Sequence, residues 1–230
     1  MIYWQHVALL ALGIVLLYVA AAYVIAPLVW SMYEKRHPWL NDVPGVTQTG
    51  DHHPGDPLNV SLAGSAEELE AIMTAAGWTK AKALGLKSDV KIAADTILKR
   101  PDDDAPVSNL FLFGRKEDVA YEQPIGNSPR KRHHVRYWKA PQPDDTGRTV
   151  WLGSVTLDER VGLSHTTGQV THHISPDVDE ERDRLFAELE KTGQLASVET
   201  IPNFHTTLSG KNGGGDPWRT DGALIYGVMK

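Results

Sequence analysis

Histidine, arginine and carboxylate side chains are concentrated between Arg130 and Asp183, in the runs RKRHHVRYW, WLGSVTLDERVGLSH and THHISPDVDEERD. Five of the ten histidines fall there: His133, His134, His165, His172 and His173. Imidazole and carboxylate together supply metal ligands, or a base and the group that orients it. Arginine grips a phosphate or carboxylate through two parallel hydrogen bonds. The chain has no cysteine, which removes thiolate nucleophiles, zinc–thiolate sites and disulfides. It also has no HExxH, Walker loop, GxSxG elbow or familiar zinc spacing.

Strand periodicity decides which of these groups meet. In a strand from Arg132 to Lys139, one face carries Arg132, His134, Arg136 and Trp138, and the other carries His133, Val135, Tyr137 and Lys139. A second strand, Val150 to Asp158, follows a hairpin loop, APQPDDTGR. A one-residue slip would press charge against the core, so register pairs Val135 with Val155 and Tyr137 with Gly153. The other face then pairs His134 with Thr156, Arg136 with Ser154, and Arg132 with Asp158.

This polar face nominates His134, Arg136 and Asp158 as catalytic groups. His172, His173 and Asp158 are nominated as ligands of a divalent metal, although His172 and His173 point to opposite sides of their strand. Arg132, His165, Asp216 and Asp221 are nominated as ligand-binding. The competing reading is a solvated sheet face whose histidines are satisfied by neighbouring carboxylates, with Asp177 to Asp183 only a favourably charged first helical turn. Convergence of His134, Arg136, Asp158 and one of His172 or His173 on a hollow separates the two.

Two tripeptides, His165-Thr166-Thr167 and His205-Thr206-Thr207, resemble the paired motifs of two-histidine phosphoesterases. The loop NGGGDPWRTDG, Asn212 to Gly222, reads as a turn between strands. Its glycines would also let backbone N–H groups approach an anion, or let Asp216 and Asp221 turn toward a cation. Alternating acidic ligands are missing, so it is not an EF-hand loop.

These groups are carried by a chain of 230 residues, enough for one ordinary domain plus an appendage. A formal charge of −6 argues against a nucleic-acid partner. Val7 to Trp30 runs 24 residues without a charged side chain. At about 1.5 Å per residue, such a helix crosses a hydrocarbon layer roughly 30 Å thick. Tyr3, Trp4, Trp30 and Tyr33 bracket it where interfacial aromatics belong. A cleaved signal peptide ending near Ala20 to Ala22 is the rival, but the apolar run continues past those alanines and no Lys or Arg precedes it. Lys35 and Arg36 follow the helix, so the positive-inside rule puts the body in the cytoplasm.

The expected organisation is an anchor over residues 1–36, a linker over 37–56 and a soluble domain over 57–230. Asn41 to Pro57 is rich in Pro, Gly and Asp and lacks apolar periodicity, and His52 and His53 within it read as solvated. Within the body, Leu58 to Ala63 alternates as a strand. Ser65 with Glu68 forms a capping box, and Gly77 ends that helix. A second helix is expected after Ser88, with Val90, Ala94, Ile97 and Leu98 inward. Strands are expected at Leu110 to Phe113 and Val119 to Glu122, joined by a turn around Gly114 to Glu117. Ser175 and Pro176 open a helix that buries Val178, Leu185, Phe186 and Leu189 and stops at Gly193. Two further strands, Val198 to Ile201 and Leu224 to Met229, flank the glycine-rich loop. The fold class is α+β: an N-terminal transmembrane helix, then a mostly antiparallel sheet packed by about three helices.

PLNVSLAGS, AAGW, PVSNLFLFGR, RHHVRYW, HTTGQVTHHISPDVDEERDRLF and NGGGDPW with TDG together resemble the LssY-like C-terminal domain, from about Pro57 to near the end. The resemblance implies a bacterial membrane-associated protein. The family's domain also occurs fused to multispanning domains similar to phosphatidic-acid phosphatases and to DedA. Neither accompanies it here, so their activities do not carry over.

The sequence thus sets two expectations side by side. One is a single-pass protein of the bacterial inner membrane whose domain binds an anionic or metal-associated ligand, with hydrolysis near the lipid surface as its chemistry. The other is a noncatalytic scaffold in an assembly with other membrane proteins. Membrane lipid is the partner common to both.

Overall fold

A computed structural model describes residues 2–34, 37–81, 109–126, 128–166, 168 and 170–230. The helix expected after Ser88 lies outside the described residues. The chain divides into two compact units: Met1–Val43 with Asp144–Thr146, and Pro44–Pro143 with Gly147–Lys230.

In the first unit, α1 (Ile2–Ala20) runs through one widened π turn (Ala21–Ile25) into α2 (Ala26–Glu34). The widened turn ends two residues before Pro27, whose ring and missing N–H disfavour a regular α turn there. Gln5–Trp30 is long and apolar enough to cross a membrane, and none of its most apolar window is buried within the protein.

The second unit is α+β and mostly antiparallel. Its elements are β1 (Val46–Thr49), β2 (Pro54–Pro57), β3 (Val60–Ala63), α3 (Ala66–Ala75), β4 (Thr79–Lys80), β5 (Leu110–Leu112), β6 (Arg115–Lys116), β7 (Val119–Ile125) and β8 (Ser128–Lys139). They are followed by β9 (Val150–Leu163), β10 (Val170–Ile174), α4 (Val178–Lys191), β11 (Leu195–Ile201), β12 (Ser209–Lys211), β13 (Pro217–Arg219) and β14 (Leu224–Met229).

The large sheet has the order β11-β14-β3-β9-β8-β7-β4, with β10 paired to the far end of β9. Only β14 and β3 run parallel in it. The register of β8 against β9 is the expected one: Val135 faces Val155, Tyr137 faces Gly153, His134 faces Thr156, Arg136 faces Ser154 and Arg132 faces Asp158. On the apolar side, α3 and α4 bury Leu69, Ile72, Met73, Leu185, Phe186 and Leu189 against Val135, Tyr137 and Val155. α3 starts on the expected capping box, with Glu68 N donating to Ser65 Oγ at 3.1 Å and Ser65 N to Glu68 Oε2 at 2.8 Å. His133 shares this side and meets Glu181 of α4, Nδ1 to Oε2 at 2.7 Å.

Three local features differ from the sequence expectation. The stretch read as a linker holds β1 and β2, which join β5 and β6 in a second sheet of order β2-β1-β5-β6. Pro54 and Pro57 fit because β2 is an edge strand, where a missing N–H costs no ladder bond. His52 turns the hairpin with φ 61°. β5 and β7 are not direct partners: β5 pairs with β6 in the small sheet, and β7 with β8 in the large one. The glycine-rich loop is itself a hairpin of β12 and β13, whose Trp218 packs with Ile174 and Val178.

Candidate functional site

The polar side of β8 and β9 is buried. Arg132, His134, Arg136, Ser154, Thr156 and Asp158 are all less than a tenth exposed. The small sheet meets this face at Arg136. Asp56 of β2 accepts from Arg136 Nη1 at 3.3 Å and from Asn212 Nδ2 at 3.1 Å, so hairpin, large sheet and glycine-rich loop are tied together.

Between them lies a cavity of about 380 Å³ whose polar lining includes Asp56, Arg136, Asp158, His172, Ser164 and Asn212. His172 reaches it through a break in strand parity. β10 pairs His173 with Arg160 but Ile174 with Asp158, which leaves Glu159 as the extra residue of a β-bulge in β9. The bulge flips the alternation, so His172 comes to the side of Asp158 and His173 does not. The sequence left open which of the two histidines joins the polar face; it is His172.

The electrostatics follow from burial. His172 is 6% exposed and neither ring nitrogen has a hydrogen-bond partner. Burial, with Arg132, Arg136 and His173 beside it, holds its pKa down to about 3, so the imidazole is neutral. His134 is likewise kept well below the ordinary imidazole value, by burial first and then by Arg136, Arg132 and His172. Its Nδ1 is buried without a partner, but His134 is not among the residues that line the cavity, so it does not join Arg136, Asp158 and His172 there.

Arg132 holds Asp158, Nε to Oδ2 at 3.2 Å, and Glu122, Nη1 to Oε2 at 2.7 Å. Burial raises Asp158 above the ordinary carboxylate value despite Arg132 and Arg136. It raises Asp56 likewise, despite Arg136 and the bond from Asn212. An arginine, a neutral imidazole and two carboxyls of raised proton affinity therefore meet in one hollow.

The expected metal set of His172, His173 and Asp158 is not what the fold assembles. The bulge sends His173 to Asp216, Nδ1 to Oδ1 at 2.6 Å, with the His165 ring 5.2 Å away. Among the described residues, His165, His173 and Asp216 are the group whose ligand atoms come together, all within 4.8 Å of one another. Asp221 joins neither place. It is gripped by Arg182 of α4, Nη1 to Oδ1 at 2.7 Å and Nη2 to Oδ2 at 3.0 Å, which lowers its pKa.

His205, of the second His-Thr-Thr tripeptide, hydrogen-bonds the Leu58 carbonyl through Nε2 at 2.5 Å and belongs to neither cluster. Thr167 lies outside the described residues. Asp56 and Asn212 were not singled out from the sequence. The signal for Asp56 was a carboxylate between two prolines, which a linker composition masked.

A family model described as "LssY C-terminus" matches residues 40–224. No curated protein and no solved structure matches the chain. The matched span takes in the small sheet, the large sheet except β14, the cavity and the His165 cluster, and the chain belongs to the LssY C-terminus family.

Proposed function

We propose that this chain is a single-pass protein of the bacterial cytoplasmic membrane, held in lipid by Gln5–Trp30, whose body binds a small anionic ligand in the cavity between the two sheets. Arg136 meets the anionic group, while Asp158 and His172 meet its hydroxyl or ester oxygens. What carries this reading is the convergence of Arg136, Asp158 and His172 on one cavity, with His172 buried and both its ring nitrogens unpaired by protein. Unpaired buried polar groups are costly and uncommon, and a polar ligand relieves that cost.

Hydrolysis of an ester of the bound anion is the reaction this set allows. Asp158 takes the proton of an attacking water as the water oxygen bonds to the esterified centre. The bond to the alcohol oxygen breaks and that oxygen receives the proton from Asp158, while Arg136 offsets the charge that grows on the other oxygens. The anchor keeps the body beside the lipid surface, and Lys35 with Arg36 orients it toward the cytoplasm.

A docking role for the body has less behind it. Outside the N-terminal helix, the large apolar side chains exposed among the described residues are Leu163, Val198 and Leu208. That offers a partner little apolar surface to cover.

The test is calorimetry on the detergent-purified full chain with inorganic phosphate, glycerol phosphate and acetate. Expected is binding of at least one probe that weakens about tenfold or more in His172→Asn, with the melting temperature preserved. Absence of binding by all three, or binding indifferent to His172→Asn and Arg136→Lys, removes the reading. A reporter at Lys230 active only outside the cytoplasm would reverse the orientation.

A further inference from the structure

We propose that His165, His173 and Asp216 form a binding site for a divalent transition-metal ion of the zinc class, separate from the cavity and not dependent on what the cavity binds. The three come from different segments: the turn after β9, strand β10, and the loop before β13. Their ligand atoms nevertheless lie within 4.8 Å of one another. Two imidazole nitrogens and one carboxylate oxygen suit zinc and its first-row neighbours, whereas magnesium and calcium take oxygen sets. Zinc bonds of about 2.0–2.2 Å put tetrahedral ligand atoms roughly 3.4 Å apart. The His173 to Asp216 contact at 2.6 Å and the 4.8 Å limit bracket that spacing. His165 is the exposed member of the three.

The surroundings are shaped to hold these side chains. Asp216 accepts the Ile174 N–H through Oδ2 at 3.3 Å, while its own N–H donates to Asn212 Oδ1 at 3.0 Å. The first bond holds the carboxylate and the second its backbone, as an outer shell does for a metal ligand. His165 N donates to the Gly214 carbonyl at 2.9 Å and couples the two loops. Two glycines leave room for the imidazoles. A Cβ on Gly215, whose φ is +86°, would lie 2.8 Å from His165 Cβ, and one on Gly162 would lie 2.7 Å from His173 Nε2.

His173 and Asp216 are buried and His165 is exposed, so a bound ion keeps a side open to solvent. Three protein ligands with an open position is the arrangement of a metal that also holds water or substrate. The loop carrying Asp216 lines the cavity with Asn212, Gly213 and Gly214, so the ion would sit behind one cavity wall.

The test uses the tag-free full chain in detergent, stripped with chelator and titrated with zinc, with cobalt as a spectroscopic probe. Expected is about one equivalent of zinc, a cobalt visible spectrum with imidazole and carboxylate ligation, and no uptake of magnesium. His165→Ala alters an exposed side chain, so folding is retained; it and Asp216→Asn should each weaken zinc binding about tenfold or more. Substoichiometric zinc overturns the site. Zinc binding unchanged by His165→Ala overturns it equally, even where Asp216→Asn weakens binding, because the bond from Asp216 to His173 then has only a structural role.

Discussion

Asp56 accepts a hydrogen bond from Arg136 Nη1 at 3.3 Å, and this contact closes the small sheet over the polar face of the large one. Both side chains are buried, and Asn212 holds the other Asp56 oxygen at 3.1 Å. Removing one partner of a buried pair costs at most about 3–5 kcal/mol, and Arg136 keeps the field of Asp158 beside it. Asp56→Ala should therefore lower the stability of the full chain by up to that order. Burial already raises the Asp56 pKa, and an amide keeps an acceptor oxygen, so Asp56→Asn should cost clearly less. Urea denaturation followed by tryptophan fluorescence compares them; equal losses would show that the charge of Asp56, and not its acceptor oxygen, is what binds the hairpin down.

Gly153 lies opposite Tyr137 in the β8–β9 ladder, and a Cβ there would come 2.6 Å from Tyr137 Cε1 and 2.7 Å from Val60 Cγ2. Neither neighbour is free to give, since both are fully buried in the core. Gly153→Ala should cost about 1–3 kcal/mol through overpacking. Gly147→Ala serves as a comparison, because nothing lies within 4 Å of its Cβ position and only its φ of +82° is penalised. A melting-temperature loss for Gly153→Ala no larger than for Gly147→Ala would contradict this close packing.

The β8–β9 register was legible because Val135, Tyr137 and Val155 alternate with charged or hydroxyl neighbours, and alternation admits one register where a core lies on one side. The same parity rule could not say which of His172 and His173 joins the polar face. It assumes uninterrupted strands, and no glycine or proline marks the extra residue at Glu159. β1 and β2 escaped notice for another reason: Pro54, Gly55, Asp56 and Pro57 have turn composition. Their strand geometry comes from pairing with β1 and from tertiary cover, not local preference. Helix α3 could be read because its capping box and apolar stripe are local signals. His165, His173 and Asp216 were each read as candidate ligands but not as one group, since only the fold joins them.

Acid should destabilise the body through its buried imidazoles. Burial depresses the pKa of His134 and of His205 below the ordinary 6.5, so below that value the unfolded chain takes up protons that the folded chain refuses. Their contribution is therefore present above 6.5 and is lost as pH falls toward the folded values. The slope is about 1.4 kcal/mol per pH unit for each imidazole kept neutral. Asp56 and Asp158 act oppositely, since raised carboxyl pKa values let the folded state bind protons first, which offsets part of the loss as pH approaches 3.8. Melting of the full chain at pH 7.5 and 5.5 should show a drop that shrinks in His134→Asn and again in the double variant with His205→Gln. A drop of unchanged size in both variants would assign the acid sensitivity elsewhere.

The N-terminal helix is apolar on every side, and the described side chains across Gln5–Trp30 are largely exposed, so the protein's own core gives them no cover. A helix of that kind is stable in lipid and a liability in water. Leu17 and Val19 lie near its middle, both exposed. An arginine at the centre of a spanning helix costs about 2.5–3.5 kcal/mol of insertion free energy, so Leu17→Arg with Val19→Arg together should undo the anchor. The native chain should stay in the membrane pellet after alkaline carbonate extraction, and the double variant should leave it. Intact mass settles the rival at the same time. A spanning anchor retains residues 1–34, whereas a mature chain beginning just after Ala22 would make the segment a leader, and the body would then lack its tether to the lipid surface.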